Sequence, residues 1–262
     1  MTKISRVSRW EAIGLTVALS IAASAAQAVP VCVGTCGSLG ANGVVTAPPS
    51  GATYQYVSTN GAPVGGGNIP GFLVAGTTNG STYTTDSFAA LAGAKLEFYF
   101  NFVTSDGTGN FTDYGWAQLV GGGNTTLFTA RTVPGGANTV PGFGLPGLAP
   151  GVVLTPPSTP IIPGGPAWAP LGAYSGECWQ GPANGCGYTG WIKSEYTITN
   201  AGNYQLKFGA ANMNDQIYHT GLAFAGLLVD GKPIDPVPEP GTLALLGLGL
   251  VGLGLSRRRR VD

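Results

Sequence analysis

The chain has 262 residues, with twelve Lys and Arg against twelve Asp and Glu, one His, 44 Gly and 20 Pro. Between residues 29 and 235 the five cations Lys95, Arg131, Lys193, Lys207 and Lys232 face nine anions, a net of −4, so no basic patch exists to meet a phosphate backbone and nucleic acid is excluded as a partner. A hydrophobic content of 44% with few charges excludes a disordered chain, and a body of about 200 residues can bury one core.

The N-terminus reads as a secretory signal peptide over residues 1–28. Lys3, Arg6 and Arg9 form a basic stretch, residues 12–23 an apolar helix, and Ala26-Gln27-Ala28 an A-x-A cleavage site. No Arg-Arg pair precedes the apolar stretch, which predicts the Sec route and a mature chain starting near Val29. The four cysteines fall in two close pairs, Cys32/Cys36 and Cys178/Cys186. In an oxidising compartment they predict two local disulfides. Zinc is the alternative, but the spacings do not suit it and His219 is the only histidine.

Weak strand signals at residues 54–58 and 72–75 come first. Residues 95–103 carry the clearest period-two pattern. Leu96, Phe98, Phe100 and Phe102 face one way, and Lys95, Glu97, Tyr99 and Asn101 face solvent. Strands at 114–120 and 125–133 follow, joined by a hairpin at Gly121-Gly122-Gly123-Asn124. Residues 134–176 then hold ten prolines, too many for a central strand. This stretch is either an ordered excursion over the body or a mobile surface loop. Strands at 191–198, 204–210 and 222–229 close the body. No 3.6-residue period and no internal repeat is found inside it. The prediction is all-β: a single two-sheet antiparallel β-sandwich of jelly-roll type over residues 29–235.

Two constellations could carry chemistry. Asp106, Asn110 and Asp113 follow the best strand, while Asn212, Asn214 and Asp215 precede the last one. Should these loops meet, hard oxygen ligands would converge and suit a structural Ca²⁺. The alternative is that Asp and Asn simply make turns. Around Cys178 and Cys186 lie Trp168, Tyr174, Trp179, Tyr188 and Trp191, with Glu177, Gln180 and Asn184 nearby. Flat aromatics could stack on sugar rings; equally, they could form a local mini-core. Catalysis finds less support. There is no G-x-S-x-G elbow, and Glu97 and Glu195 as a glycosidase pair are explained as well by a solvated strand face.

At the C-terminus, residues 242–255 are uncharged and rich in Gly and Leu, and Arg257, Arg258, Arg259 and Arg260 follow. As a helix they span about 21 Å, short of a hydrocarbon core of about 30 Å. The arginines belong on the cytoplasmic side. With Val237, Pro238, Glu239 and Pro240 in front, residues 237–262 resemble a PEP-CTERM sorting signal. That resemblance implies an exosortase-type membrane protease as partner, a transient anchor helix, cleavage, and release to the cell surface or matrix. The body resembles β-sandwich domains of PEP-CTERM-tailed proteins in Leu96-Glu97-Phe98-Tyr99-Phe100-Asn101-Phe102, in Phe111-Thr112-Asp113-Tyr114-Gly115-Trp116-Ala117 and in the run from Asn212 to Leu222. It departs from them at His219, where relatives carry an acidic residue. The resemblance implies a lectin-like sandwich. The expected function is an exported, non-catalytic surface or matrix protein associated with exopolysaccharide or biofilm. A carbohydrate-binding module is the alternative, and an extracellular hydrolase a remote one.

Overall fold

The computed structural model describes residues 30–133 and 139–234. The expected signal peptide, the 237–262 sorting segment with its anchor helix, and residues 134–138 of the Pro-rich stretch lie outside the described residues.

The chain is mostly β, in two antiparallel sheets. The first runs β1 (Val31–Val33), β4 (Thr77–Thr84), β13 (Gly202–Met213), β7 (Tyr114–Val120), β8 (Asn124–Arg131), with β5 (Phe88–Ala90) on the start of β13. The second runs β9 (Val153–Thr155), β12 (Ile192–Thr197), β6 (Lys95–Thr104), β14 (Thr220–Val229), β3 (Tyr54–Ser58), β2 (Thr35–Leu39). Beyond β12, β11 (Gly187–Tyr188) continues along β6 and carries β10 (Ile162–Pro163), while β15 (Lys232–Pro233) folds back on β14. Eight strands, β3, β4, β6, β7, β8, β12, β13 and β14, make up most of the two sheets. Counted first to eighth, their order is 6-3-8-1 in one sheet and 2-7-4-5 in the other.

Alternation puts one set of rings between the sheets. Leu96, Phe98, Phe100 and Phe102 of β6 are all buried, as expected. Phe100 stacks on Phe128 of the opposite sheet at 3.6 Å with planes 3° apart, and Phe208 stacks on Phe224 at 4.0 Å and 4°. Phe98 meets Phe208 edge-on at 5.3 Å. Large apolar areas leave water here, and the ring geometry adds to that gain.

The outer faces are covered too. Trp116 and Tyr114 of β7 pack under the loop holding Ile69 and Val74, and the Trp116 indole donates to the Gly67 carbonyl at 2.7 Å. On the other sheet, Trp168, Leu171, Val45 and Tyr54 cover Val103 and Ala223. Gly221 is required there, because a Cβ would stand 2.5 Å from the Trp168 ring.

The Pro-rich stretch is an ordered excursion wherever it is described. Residues 139–149 run antiparallel along β8, with Arg131 N–H donating to Thr139, Gly142 N–H to Thr129 and Ala149 N–H to Thr126. β9 then joins β12 on the other sheet. The segment thereby covers the free edge of one sheet and extends the other, as proline-rich edge segments do.

Several expectations need correction. Residues 72–75 form turns and no strand, and Leu73 is 85% exposed. The long β4 had no clear signal because its sequence, Thr-Thr-Asn-Gly-Ser-Thr-Tyr-Thr, is polar. Asn101 is buried rather than solvated, since Thr189 lies over it. Both cysteine pairs are disulfides, so zinc is ruled out for them. Cys32–Cys36 joins β1 of one sheet to β2 of the other.

Phe208→Ala removes a ring that touches both Phe98 and Phe224, and should cost about 3–5 kcal/mol in urea unfolding. A loss below about 1 kcal/mol would show that the stacks do not hold the sheets together.

Candidate functional site

Along the inward-facing rows of β3, β6, β7, β8, β13 and β14, apolar residues give way to polar groups at one end of the body. On the first sheet, the Ala211↔Tyr114 and Tyr114↔Arg131 pairs continue by one residue to align Asn212, Asp113 and Thr132. On the second, Thr104 pairs with Thr220, and the Gly221↔Ser58 pair continues to set Thr59 beside Thr220. Residues opposite one another in adjacent antiparallel strands point to the same face. These six side chains therefore share one buried layer beyond Phe102 and Leu222. The Thr220 hydroxyl donates across it to Asp113 Oδ2 at 2.7 Å, and the Met213 N–H donates to Asp113 Oδ1 at 2.9 Å. Thr104 Oγ1 lies 2.5 Å from Thr220 Oγ1 and donates to the Asp106 carbonyl at 2.6 Å.

Asp106 caps this layer. Its Oδ1 accepts from the N–H groups of Gly107 and Thr108, at 2.6 and 3.3 Å. Burial pushes its carboxyl up to about pKa 6 against those donors. Asp113 is driven well above the usual carboxylate range, first by burial and then by the charge of Asp106. Arg131 feels the charge of Asp113 but makes no ion pair with either carboxylate. Its guanidinium donates to the carbonyls of Thr112 and Phe143 and lies over the Tyr114 ring.

Above the layer, the loop after β6 meets the loop closed by Cys178–Cys186. Trp179 N–H donates to the Ser105 carbonyl at 3.0 Å, and the Ser105 hydroxyl donates to the Tyr174 carbonyl at 2.9 Å. Gly107 allows this approach, since a Cβ there would fall 2.5 Å from the Gly185 backbone. Between the loops lies an open cleft of about 290 Å³ lined by Thr108, Asn110, Phe111, Trp179, Gln180 and Asn184. Trp179 is half-buried, packing on Tyr218 at 5.0 Å, and Tyr218 in turn packs on Tyr174 at 4.6 Å. Gln180, Asn214 and Tyr218 all hold left-handed backbone, with φ of 55°, 63° and 50°. For a bulky tyrosine that conformation is strained, and strain of this kind gathers at functional sites.

The expected site residues therefore separate. Trp168 is 1% exposed, its indole donating to Tyr54 Oη at 2.9 Å, so it is a core residue. Trp191 packs edge-on against Tyr54 and donates to the Thr46 carbonyl, and Tyr188 packs against the same cluster. Only Tyr174 and Trp179 reach the cleft end. The two Asp/Asn loops do meet, because Asn214 Nδ2 donates to the Asn110 carbonyl. They do not deliver four ligands together, however. Asn110 is exposed, and Asp215 turns its Oδ1 to the Ile217 N–H. Among the described residues, no three His, Cys, Asp or Glu side chains stand close enough to hold a metal. His219 is buried, with its pKa lowered by burial, against Thr59 and Tyr174. Sequence reasoning missed Tyr218, Thr104, Thr132 and Thr220. Extending the period-two rows one step beyond their last apolar residue, Phe102 on β6 and Leu222 on β14, would have found the threonines of these strands.

Asp106 holds its proton to about pH 6 when folded, but releases it near 3.9 when unfolded. The folded state thus binds more protons in that window, and stability should fall as pH rises from about 4 to 7. In protein kept in a chelator, Asp106→Asn should make this decline shallower in thermal melts. An unchanged slope would refute the assignment.

Residues 236–260 match the PEP-CTERM protein-sorting motif. Comparison with curated proteins and with solved structures gave no match for the chain. The motif is recognised by exosortase, a membrane protease. The chain therefore carries a signal for export and for surface or extracellular sorting through a membrane-anchored intermediate.

Proposed function

We propose that this exported protein is non-catalytic, and that its jelly-roll body binds polysaccharide of the cell surface or biofilm matrix through the Trp179 cleft. The observation that carries the reading is Trp179 itself. Its backbone N–H is held by the Ser105 carbonyl and its half-exposed indole packs on Tyr218, in an open cleft whose other walls are mostly neutral hydrogen-bonding groups. A flat apolar ring beside amides and hydroxyls suits a sugar, which offers an apolar ring face and a rim of hydroxyls. The strand orders 6-3-8-1 and 2-7-4-5 are those expected for two interleaved Greek keys, which supports the jelly-roll reading.

Two contacts argue against the hydrolase reading. Glu97 and Glu195 sit opposite each other on β6 and β12, and Lys193 bridges them at 2.7 and 2.9 Å. Those bonds raise the lysine pKa and keep both carboxylates in a partly exposed ion-pair network, where such pairs contribute little beyond local order. The hydrogen-bond partner of His219 is a threonine hydroxyl rather than an orienting carboxylate.

On an array of bacterial and plant polysaccharides, Trp179→Ala should lower affinity about ten-fold or more, whereas Trp191→Ala should leave it unchanged. Equal binding by wild type and Trp179→Ala would overturn the cleft assignment. Separately, replacing Pro238, Glu239 and Pro240 with alanine in the producing cell should leave the protein in the membrane fraction. Normal release of that variant would count against sorting through the motif.

A further inference from the structure

The buried polar layer has more hydrogen-bonding groups than partners. Asn212 is 0% exposed, and neither its Oδ1 nor its Nδ2 has a partner. Asp106 Oδ2, on a residue 1% exposed, and Thr132 Oγ1, on one 3% exposed, are likewise unpartnered. Buried polar atoms without partners are costly, and native proteins satisfy nearly all of them. All four atoms belong to the layer and its cap. Asn212 and Thr132 flank Asp113 in register, and Asp106 reaches it through Thr104 and Thr220. The groups that converge are hard oxygens: two carboxylates, an amide carbonyl and hydroxyls. Among the described residues, neither carboxylate forms an ion pair with a lysine or arginine, and Arg131, which feels the charge of Asp113, gives its hydrogen bonds to carbonyls.

From this arrangement we propose a calcium site inside the polar end of the sandwich, with Asp106, Asp113 and Asn212 as ligands and Thr132 beside them. Asp113 can coordinate while keeping both its hydrogen bonds, because each carboxylate oxygen has two acceptor positions. Calcium accepts six to eight oxygens in flexible geometry, so carbonyl, hydroxyl and water oxygens complete the set. Magnesium demands a tighter octahedron and keeps its own waters, which a buried layer does not accommodate. The ion removes the repulsion between two buried carboxylates and ties the end of one sheet to the other. The site differs from the Asp106, Asn110, Asp113 and Asp215 set expected from the loops, since Asn212 takes the place of the exposed Asn110 and of Asp215, whose Oδ1 accepts from the Ile217 N–H. It is also independent of the sugar reading, because none of its ligands lines the cleft.

The test uses the purified full chain after treatment with EDTA and buffer exchange. Adding millimolar CaCl₂ should raise the melting temperature by several degrees, and calorimetry should show one site per chain. MgCl₂ at the same concentration should do neither. Asp106→Asn keeps the oxygen that accepts from Gly107, so it should fold, yet show at least ten-fold weaker calcium binding. Asn212→Leu should likewise lose most of the calcium-dependent shift. No heat and no shift with wild type would overturn the proposal. So would an equal response to magnesium, or an Asp106→Asn response as large as that of wild type. Polysaccharide binding measured on Asp106→Asn reports separately on the cleft.

Discussion

Everything in this body depends on a few phenylalanine rings packing across the gap between two sheets. Phe100 on Phe128 and Phe208 on Phe224 each join one sheet to the other, and Phe98 links the two pairs. Because these rings fix how the sheets face each other, every residue further along the same rows must also point inward. Where the rows run past the last ring, polar groups have no choice but to meet. The polar layer of Asp113, Asn212, Thr104, Thr220 and Thr132 is thus a geometric consequence of the aromatic core, and the cleft sits on the loops that close over it.

The outer faces show a second use of aromatic bulk. In a chain with only 9% charged residues, the sandwich cannot leave both outer faces bare. Trp116 and Trp168 each anchor a long Gly/Pro-rich loop onto one of them, with the indole N–H meeting a carbonyl in one case and a tyrosine hydroxyl in the other. Two of the glycines follow from this. Gly209 and Gly221 lie directly beneath those indoles, where a side chain would collide.

Much of the fold was legible because period-two alternation is a local property. The pattern of β6 placed four core residues correctly, and the close cysteine spacing pointed to both disulfides. What stayed hidden was set by distant partners. Trp168 looks like any surface tryptophan until Tyr54, 114 residues away, accepts a hydrogen bond from its indole N–H. β4 reads as a loop because its Thr, Asn, Gly and Ser residues gain a reason to extend only beside β13. The 139–149 segment lacks alternation because it follows an edge and is not part of a central ladder. From the sequence, the meeting of the loops with Asp106 and Asp215 was only a condition, and which side chains face inward was hidden, since register decides that. Period two could not reveal Tyr218 as a wall of the Trp179 stack, because its direction comes from a left-handed backbone.

The direction of β14 has a consequence for orientation. The strand starts at Thr220, in the polar layer next to the cleft, and β15 leaves Ile234 bonded to Leu227, seven residues further along. At about 3.3 Å per residue, that places the exit of the chain roughly 23 Å from the cleft end. The sorting motif begins at residue 236, just beyond this exit. The chain therefore leaves the described body at the end opposite the Trp179 cleft, so the residues that lead into the sorting motif and those that line the cleft are separated by most of the length of β14.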